Sequence, residues 1–285
     1  MKLNIKVIIP IIILIIMSWV RNIYIFNTTS LDKPLLLNSY YSSLLSEGYN
    51  LQLFYISNIY DKETIVSASF PELGSMPFPV TSASMGNIGN SNYRINKIDI
   101  NLSTIFLDSG KLLIETDNEE NICLKKIQLS TGYSKKIYEY DLGEICLFKG
   151  QLVENDSLRN DYSMSSGNNS GRTTLKATDD IQITEIVNPL NDLLSEVCDI
   201  DINGKPMSSV TVPFTVKSGE QIDVKYQFKN RSEIKPQLKF SNFFITLVFK
   251  GIDTKGNPVV RNVFIDAYNQ YDLKTKDIRE LINRK

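Results

Sequence analysis

Two patterns of hydrophobic and polar positions divide the chain. Residues 7–20 (VIIPIIILIIMSWV) form an uncharged and almost wholly apolar run, and residues 23–26 (IYIF) extend it. A helix over 7–26 measures about 30 Å, which matches the hydrocarbon core of a bilayer. Farther along, apolar residues alternate with polar ones in short stretches bounded by Gly, Pro, Asn and Asp. This second pattern is typical of half-buried β-strands.

The apolar run has the features of an uncleaved signal anchor. Lys2 and Lys6 flank its start, which is the basic-then-apolar order of an export signal. It ends in WVR, where a cleavable signal peptide carries small residues, so cleavage and secretion are the less favoured alternative. The positive-inside rule keeps the N-terminal tail cytoplasmic. We therefore expect a transmembrane helix within residues 1–26 and a single-pass cell-membrane protein with an extracytoplasmic body; a buried core helix is the remaining alternative.

The first half of the body predicts an antiparallel β-sandwich or barrel. Residues 31–47 contain leucines without clean alternation, so a tether and a short helix both fit. Residues 71–92 are rich in Pro and Gly, and we interpret them as a mobile surface loop. Turn signals punctuate the remaining stretches, and no helix-length segment separates them, which argues against a βαβ fold. The predicted strands cover 49–60, 64–70, 93–102, 111–117, 121–130, 135–141 and 144–150.

A change in composition at residues 154–172 (ENDSLRNDYSMSSGNNSGR) separates the two halves. This segment is rich in Ser, Asn, Asp and Gly and nearly free of aliphatic residues, which predicts an interdomain linker. The alternative is a long surface loop within one larger β domain. We therefore expect two antiparallel β-sandwich-like domains, at residues 31–153 and 173–285.

The second half of the body repeats the pattern of strands and turns, and a predicted helix follows its last strand. Ile278, Leu281 and Ile282 fall on one helical face near the end of the chain, so a short C-terminal helix is expected. The Asn203-Gly204 pair is a strong hairpin signal. Predicted strands cover 180–187, 197–204, 208–216, 221–230, 243–253 and 259–268.

Composition narrows the classes of function. The chain has no histidine, which excludes Ser-His-Asp and Cys-His catalysis and zinc sites that need imidazole. Carboxylate pairs of the glycosidase kind remain available, whereas Ser-x-x-Lys lacks the helical context of a Ser-Lys site. Lys and Arg total 31 against 32 Asp and Glu, so no net field favours nucleic acid.

One segment resembles half of a calcium loop. Asp199, Asp201, Asn203 and Gly204 match the first positions of an EF-hand, but Val210 stands where the bidentate glutamate is required. A plain hairpin explains the same alternation. We interpret it as a hairpin and not as a metal site.

Other acidic groups have simple structural explanations. Asp117, Glu119 and Glu120 crowd one predicted turn, and Asp179 and Asp180 are adjacent. Solvated acidic turns are far commoner than calcium sites at such positions. We therefore interpret both groups as surface turns.

The cysteines and aromatic residues are also interpreted structurally. Cys123 and Cys146 sit among alternating apolar residues, so we interpret them as small buried thiols, with a disulfide between them as the alternative. Cys198 completes the set, and no CxxC spacing occurs. Aromatic residues at alternate strand positions are expected in the core, namely Phe54, Tyr138, Tyr140, Phe214, Phe228, Phe244 and Phe249.

These observations nominate no catalytic, cofactor-binding or metal-ligating residue and imply no cofactor. The expected partners are the membrane, through the N-terminal helix, and a protein at the cell surface, with no nucleic acid. We expect a non-enzymatic interaction or structural module on the extracellular side. The alternative is a carboxylate-dependent hydrolase acting on cell-wall glycan, whose two carboxylates would face each other across a cleft.

Overall fold

A single apolar helix precedes a mostly β body in the computed structural model, as the sequence predicts. Helix α1 (Ile5–Thr29) contains an 18-residue stretch, Ile9–Phe26, with a mean hydropathy of 2.0 and no residue buried against the body. It is long and apolar enough to cross a membrane. The predicted strand at 111–117 lies outside the described residues. The structure describes residues 5–45, 50–89, 91–102, 121–149, 156–166, 169–267 and 273–283.

Seventeen strands and two further helices make up the described part of the body. The first half contributes β1 (Leu35–Leu36), β2 (Ser39–Leu45), β3 (Asn50–Asn58), β4 (Ile65–Ser69), β5 (Pro77–Asn87), β6 (Tyr93–Asn101), β7 (Asn121–Thr131) and β8 (Ile137–Lys149). The second half contributes β9 (Leu158–Ser166), β10 (Ser170–Ala177), β11 (Ile181–Val187), α2 (Asn191–Val197), β12 (Cys198–Ile202), β13 (Lys205–Pro206), β14 (Phe214–Val216), β15 (Gln221–Phe228), β16 (Asn242–Asp253), β17 (Pro258–Ala267) and α3 (Thr275–Asn283).

The strands form two sheets. A 12-stranded sheet runs in the order β1-β3-β6-β5-β4-β7-β8-β2-β16-β11-β14, and β17 also pairs with β16. A five-stranded sheet runs in the order β13-β12-β15-β10-β9. The larger sheet therefore contains strands from both halves of the chain, while the smaller one belongs to the second half.

Strand β2 joins the two halves of the chain. The expectation of wholly antiparallel sheets was wrong at this strand. It pairs in parallel with β8 on one side and with β16 on the other. Its Ser42 lies beside Cys146 and beside Ile245, residues far along the chain. Parallel neighbours need long connections; here β3–β7 lie between β2 and β8 along the chain, and β3–β15 lie between β2 and β16. Within residues 31–47, for which a tether and a short helix both fitted the sequence, the described residues contain two strands, β1 and β2.

Two segments predicted as loop or linker contain strands in their described residues. Residues 71–92 contain β5, whose side chains are mostly exposed. Because most of its residues face solvent, the strand lacks the alternation of apolar and polar residues that identifies a half-buried strand. Within 154–172, the described residues 156–166 and 169–172 hold β9 and the start of β10, which pair with each other. Beyond Leu158, β9 is exposed on both faces, so it lacks the apolar alternation by which strands are identified. Its linker-like composition reflects exposure and not an irregular backbone.

The buried side chains form two large clusters and a smaller one. One cluster draws on residues 36–147 and the other on residues 158–267. The small cluster combines first-half residues such as Phe54 and Tyr93 with Phe240 and with Ile278 of α3. The predicted C-terminal helix is confirmed, and its apolar face packs on this third cluster.

A disulfide links Cys123 of β7 to Cys146 of β8, which face each other in the antiparallel register. The prediction of two separate buried thiols was therefore wrong, and the alternative is correct. Direct pairing places the two Cα atoms 4.0 Å apart, within reach of each other's side chains. Cys198 is free and buried.

Candidate binding face

The five-stranded sheet has one apolar and one polar face, because side chains alternate along each strand. Ile202 and Val224 are cross-strand neighbours buried in the second-half cluster. Asp201 and Lys225 are the next pair, and they point the opposite way, toward solvent. We call this outward side the polar face; it carries Asp199, Asp201, Asp223, Lys225, Arg172, Tyr162 and Met164.

An ion-pair network occupies the middle of the polar face. Arg172 Nε donates to Asp223 Oδ1, and Lys225 Nζ lies 3.3 Å from Asp223 Oδ2. Desolvation alone raises the pKa of Asp223, but its hydrogen bonds and opposite charges from Arg172 and Lys225 outweigh that effect, so the pKa lies below its ordinary value. The hydrogen bond to Asp223 raises the pKa of Arg172. Both groups are therefore charged at neutral pH and hold β10 to β15.

A groove of about 380 Å³ lies at one side of the polar face, between α2 and the β12–β13 hairpin. Asp199 and Asp201 are on its β12 wall, and Lys229 Nζ lies 3.6 Å from Asp199 Oδ1. Burial raises the pKa of the Cys198 thiol to about 12, so this residue is not an activated nucleophile. The lining consists of Asn191, Leu194, Ser195, Cys198, Asp199, Ile200, Asp201, Pro206, Met207 and Ser208.

The groove lacks the arrangement that glycoside hydrolysis needs. Its carboxylates, Asp199 and Asp201, are two residues apart on one strand and point to the same side, so they do not face each other across a bound sugar. Its lining contains no aromatic side chain on which a sugar ring would stack.

The half-motif for calcium forms the hairpin that the sequence predicts. Asn203 and Gly204 have φ angles of 53° and 75°, as a two-residue turn of this type requires. Asn203 Oδ1 accepts a hydrogen bond of 2.8 Å from the Asp223 amide, which directs this oxygen to the neighbouring strand. The turn is thus explained by its own hydrogen bonds.

Other candidate residues occupy structural positions. Asp179 accepts from the Ser157 hydroxyl, and Asp180 accepts from the Ser218 amide, so both organise turns. The acidic turn at Asp117, Glu119 and Glu120 lies outside the described residues.

Metal-ligating side chains come together once in the part of the chain that the structure describes. Cys123, Glu144 and Cys146 place their ligand atoms within 4.8 Å of one another. The disulfide occupies both sulfur atoms, so the thiolates that a metal needs are not available there.

The seven aromatic residues expected in the core pack there. They are buried or half-buried against the hydrophobic clusters, as predicted for Phe54, Tyr138, Tyr140, Phe214, Phe228, Phe244 and Phe249.

An exposed strand edge lies at the other side of the polar face. Among the described strands, β9 is hydrogen-bonded to β10 alone, and β17 lies close to its start without pairing with it. Tyr162 and Met164 on this strand are each about half exposed, and the Tyr162 hydroxyl donates to the Met164 sulfur at 3.1 Å. Arg261 Nε donates to the Leu158 carbonyl and holds the start of the strand. A strand edge with no hydrogen-bonded strand among the described residues, beside exposed aromatic and thioether side chains, is the kind of surface to which an extended segment can add.

Sequence reasoning missed this edge because β9 lies in the segment interpreted as a linker. The signal that could have identified the strand was Tyr162 and Met164, two large side chains at alternate positions within the Ser- and Asn-rich stretch.

Comparison with models of known protein families and with curated protein sequences gives no match.

Proposed function

We propose that this protein is a single-pass membrane protein whose β body lies outside the cytoplasm and acts as a non-enzymatic interaction module at the cell surface. The observation that carries the proposal is helix α1, whose apolar stretch Ile9–Phe26 is exposed along its whole length. Soluble monomers rarely expose an apolar surface of that size, whereas a bilayer covers it. Lys2 and Lys6 favour a cytoplasmic N-terminus.

The Cys123–Cys146 disulfide supports an extracytoplasmic body. Disulfides form and persist in oxidising compartments and are rare where thiols are kept reduced. In this chain the bond joins two neighbouring strands of the body. A body located on the oxidising side of the membrane is consistent with such a bond.

The polar face and the β9 edge support a protein partner. An extended segment of the partner would add a strand beside β9, with main-chain hydrogen bonds for affinity and contacts to Tyr162 and Met164 for specificity. Three aspartates stand on the polar face against Arg172 and Lys225, so its charge does not favour nucleic acid.

We also propose that the body folds as two β-sandwich-like domains, at about 31–153 and 173–285, with β9 and the start of β10 added to the second. The two large hydrophobic clusters support this division because the buried residues of each come from one half of the chain. Limited proteolysis that separates the halves, with one unfolding transition for each, is expected. If the body instead unfolds in a single transition, and substitutions in either half shift that whole transition, the result would favour one domain.

Protease treatment of intact cells tests the topology. An epitope tag placed before Met1 should stay protected while added protease removes the body. Recovery of the whole chain in a soluble cytoplasmic fraction would contradict the proposal. The full chain, purified in detergent from cells not treated with protease and incubated with cell-wall glycan, should release no reducing ends; release that one Asp or Glu substitution abolishes would establish the hydrolase alternative.

A photo-crosslinking amino acid tests the interaction edge. It is placed at Tyr162 on β9 and, as a matched control, at Tyr133, which is 88% exposed near the β7–β8 turn. Irradiation of living cells should give a discrete protein adduct at position 162 and not at position 133. Equal adduct formation at both positions would show that the edge has no special role.

A further inference from the structure

The end of helix α1 is fixed to the body and not merely tethered to it. The Asn58 side chain accepts from the Leu31 amide at 2.9 Å and donates to the Leu31 carbonyl at 2.8 Å. The Phe26 and Tyr60 rings lie 5.0 Å apart, and the hydroxyls of Ser30 and Tyr60 are hydrogen-bonded at 2.5 Å. These contacts join the last turns of α1 to the turn that follows β3.

The depth of this contact follows from the helix geometry. At 1.5 Å per residue, Phe26 lies about 13 Å from the midpoint of the Ile9–Phe26 stretch, and the hydrocarbon half-thickness is about 15 Å. The Tyr60 ring, which packs on Phe26, therefore lies at the boundary between hydrocarbon and headgroups.

The chemistry of the β3–β4 turn fits that boundary. Ile59 and Tyr60 are 38% and 48% exposed although both are large and apolar, and Lys62 beside them is exposed. Aromatic rings with a polar tip are enriched at membrane interfaces, and lysines reach from there to lipid phosphates.

The turn is held in place by backbone hydrogen bonds. The Ile59 amide donates to the Asn92 carbonyl at 2.9 Å, and the Asp61 amide donates to the Asn58 carbonyl at 3.1 Å. Arg94 donates to the Asp61 carbonyl from the neighbouring strand. A turn supported in this way presents Ile59 and Tyr60 without a large loss of conformational entropy on contact.

We propose that the β3–β4 turn is a membrane contact: Ile59 and Tyr60 enter the interfacial layer of the phospholipid bilayer that α1 spans, and Lys62 contacts lipid phosphates. The inference rests on the proposed membrane span of α1. The inference goes beyond that span because a second membrane contact beside the helix fixes the orientation of the body relative to the bilayer.

Depth-dependent fluorescence quenching tests the contact in the full chain, reconstituted into bilayer nanodiscs. Trp19 is the chain's one tryptophan and lies near the middle of the apolar stretch. In a Trp19→Phe background, Ile59→Trp and Tyr60→Trp place the probe at the turn, and Ile252→Trp places it on the β16–β17 hairpin of the second half, where the native side chain is 43% exposed. Lipids brominated deep in the acyl chain or near the headgroup serve as quenchers.

The expected pattern has three parts. In the unsubstituted chain, Trp19 loses emission with deep bromines. The tryptophans at 59 and 60 lose a comparable fraction with shallow bromines and show blue-shifted emission, while the one at 252 changes with neither lipid. Two probe positions keep the test valid if one variant misfolds.

Two results overturn the inference, and they are distinguishable. If Trp19 is quenched while positions 59 and 60 behave like position 252, α1 spans the bilayer and the turn does not touch it. If Trp19 itself is not quenched, the proposed membrane span fails and the membrane contact fails with it.

Discussion

Strands β2 and β9 are both rich in serine, yet they occupy opposite environments. β2 (SYYSSLL) is a central strand between β8 and β16, and Ser39 and Ser42 are fully buried. β9 (LRNDYSMSS) is an edge strand and is exposed from Arg159 onward. The comparison shows that a polar composition does not determine burial; the number of neighbouring strands does.

The two strands also satisfy their polar groups differently. In β2, the Ser42 hydroxyl accepts a 2.9 Å hydrogen bond from the Thr246 amide of β16, so it replaces a backbone partner inside the sheet. In β9, the Ser163 hydroxyl bonds to the Thr173 hydroxyl in a part-buried position. Buried polar groups must be paired within the protein, whereas those of β9 have water nearby.

The largest contrast is expected from placing a carboxylate in each strand. Ser42→Asp buries a charge between two parallel neighbours, and we expect a loss of several kcal/mol in the free energy of unfolding, enough to prevent folding. Ser165→Asp on β9 should change it by less than about 0.5 kcal/mol. Urea unfolding followed by circular dichroism in detergent measures both. Similar losses in the two variants would contradict the assignment of β9 as an exposed edge.

Removal of the disulfide is expected to have the next largest effect. Cys146 lies beside Ser42 in the parallel pairing, so the bond reinforces the strand next to β2, whereas the structure describes no such bond near β9. Closing the loop between Cys123 and Cys146, which are separated by 23 positions, contributes about 3 kcal/mol in the chain-entropy model.

The double variant Cys123→Ala/Cys146→Ala should therefore unfold at a lower urea concentration than the native chain. The matched control is Cys198→Ala, which removes one buried thiol without breaking a crosslink and should cost about 1 kcal/mol. If the double variant is no less stable than this control, the bond does not stabilise the body.

Sequence reasoning succeeded where a local signal was present. α1 and the Asn203-Gly204 hairpin were predicted, because an apolar run and a turn pair each act within a few residues. It failed for β2, whose place depends on a contact between positions 42 and 246, separated by 204 residues. The same limit applies to the candidate edge: exposure of β9 depends on which strand pairs with β10, and serine content does not encode that.

A smaller effect is expected at the polar face beside β9. Because its folded pKa is lowered, Asp223 contributes stability above the ordinary aspartate pKa of about 3.9, and this contribution disappears as the pH falls through the folded pKa. Asp223→Asn should cost at most about 1 kcal/mol at pH 7, since the pair with Arg172 is partly exposed.

Unfolding measured between pH 2 and pH 7 checks this prediction, because the native chain and Asp223→Asn should converge at the acid end. High salt should reduce the difference at pH 7. Asp201→Asn removes a carboxylate from the same face and serves as the control for net charge. A difference that persists unchanged at low pH would show that the substitution acts through packing and not through charge.

The smallest effect is expected from a substitution of Thr246 on β16. This residue has one backbone amide that is hydrogen-bonded to β2 and one side-chain hydroxyl that is not, so the two groups can be tested separately. The Thr246 amide donates to Ser42, but the Thr246 hydroxyl is buried without a hydrogen-bond partner among the described residues. Thr246→Val removes an unpaired group at nearly constant volume, so stability should be unchanged or rise by up to about 1 kcal/mol. Ser42→Ala should cost about 1 to 2 kcal/mol, because it leaves the amide unpaired. If both variants lose stability equally, the Thr246 hydroxyl takes part in the same hydrogen-bond network as Ser42. The buried serines of β2 would then make more hydrogen bonds to β16 than the one between Ser42 and the Thr246 amide.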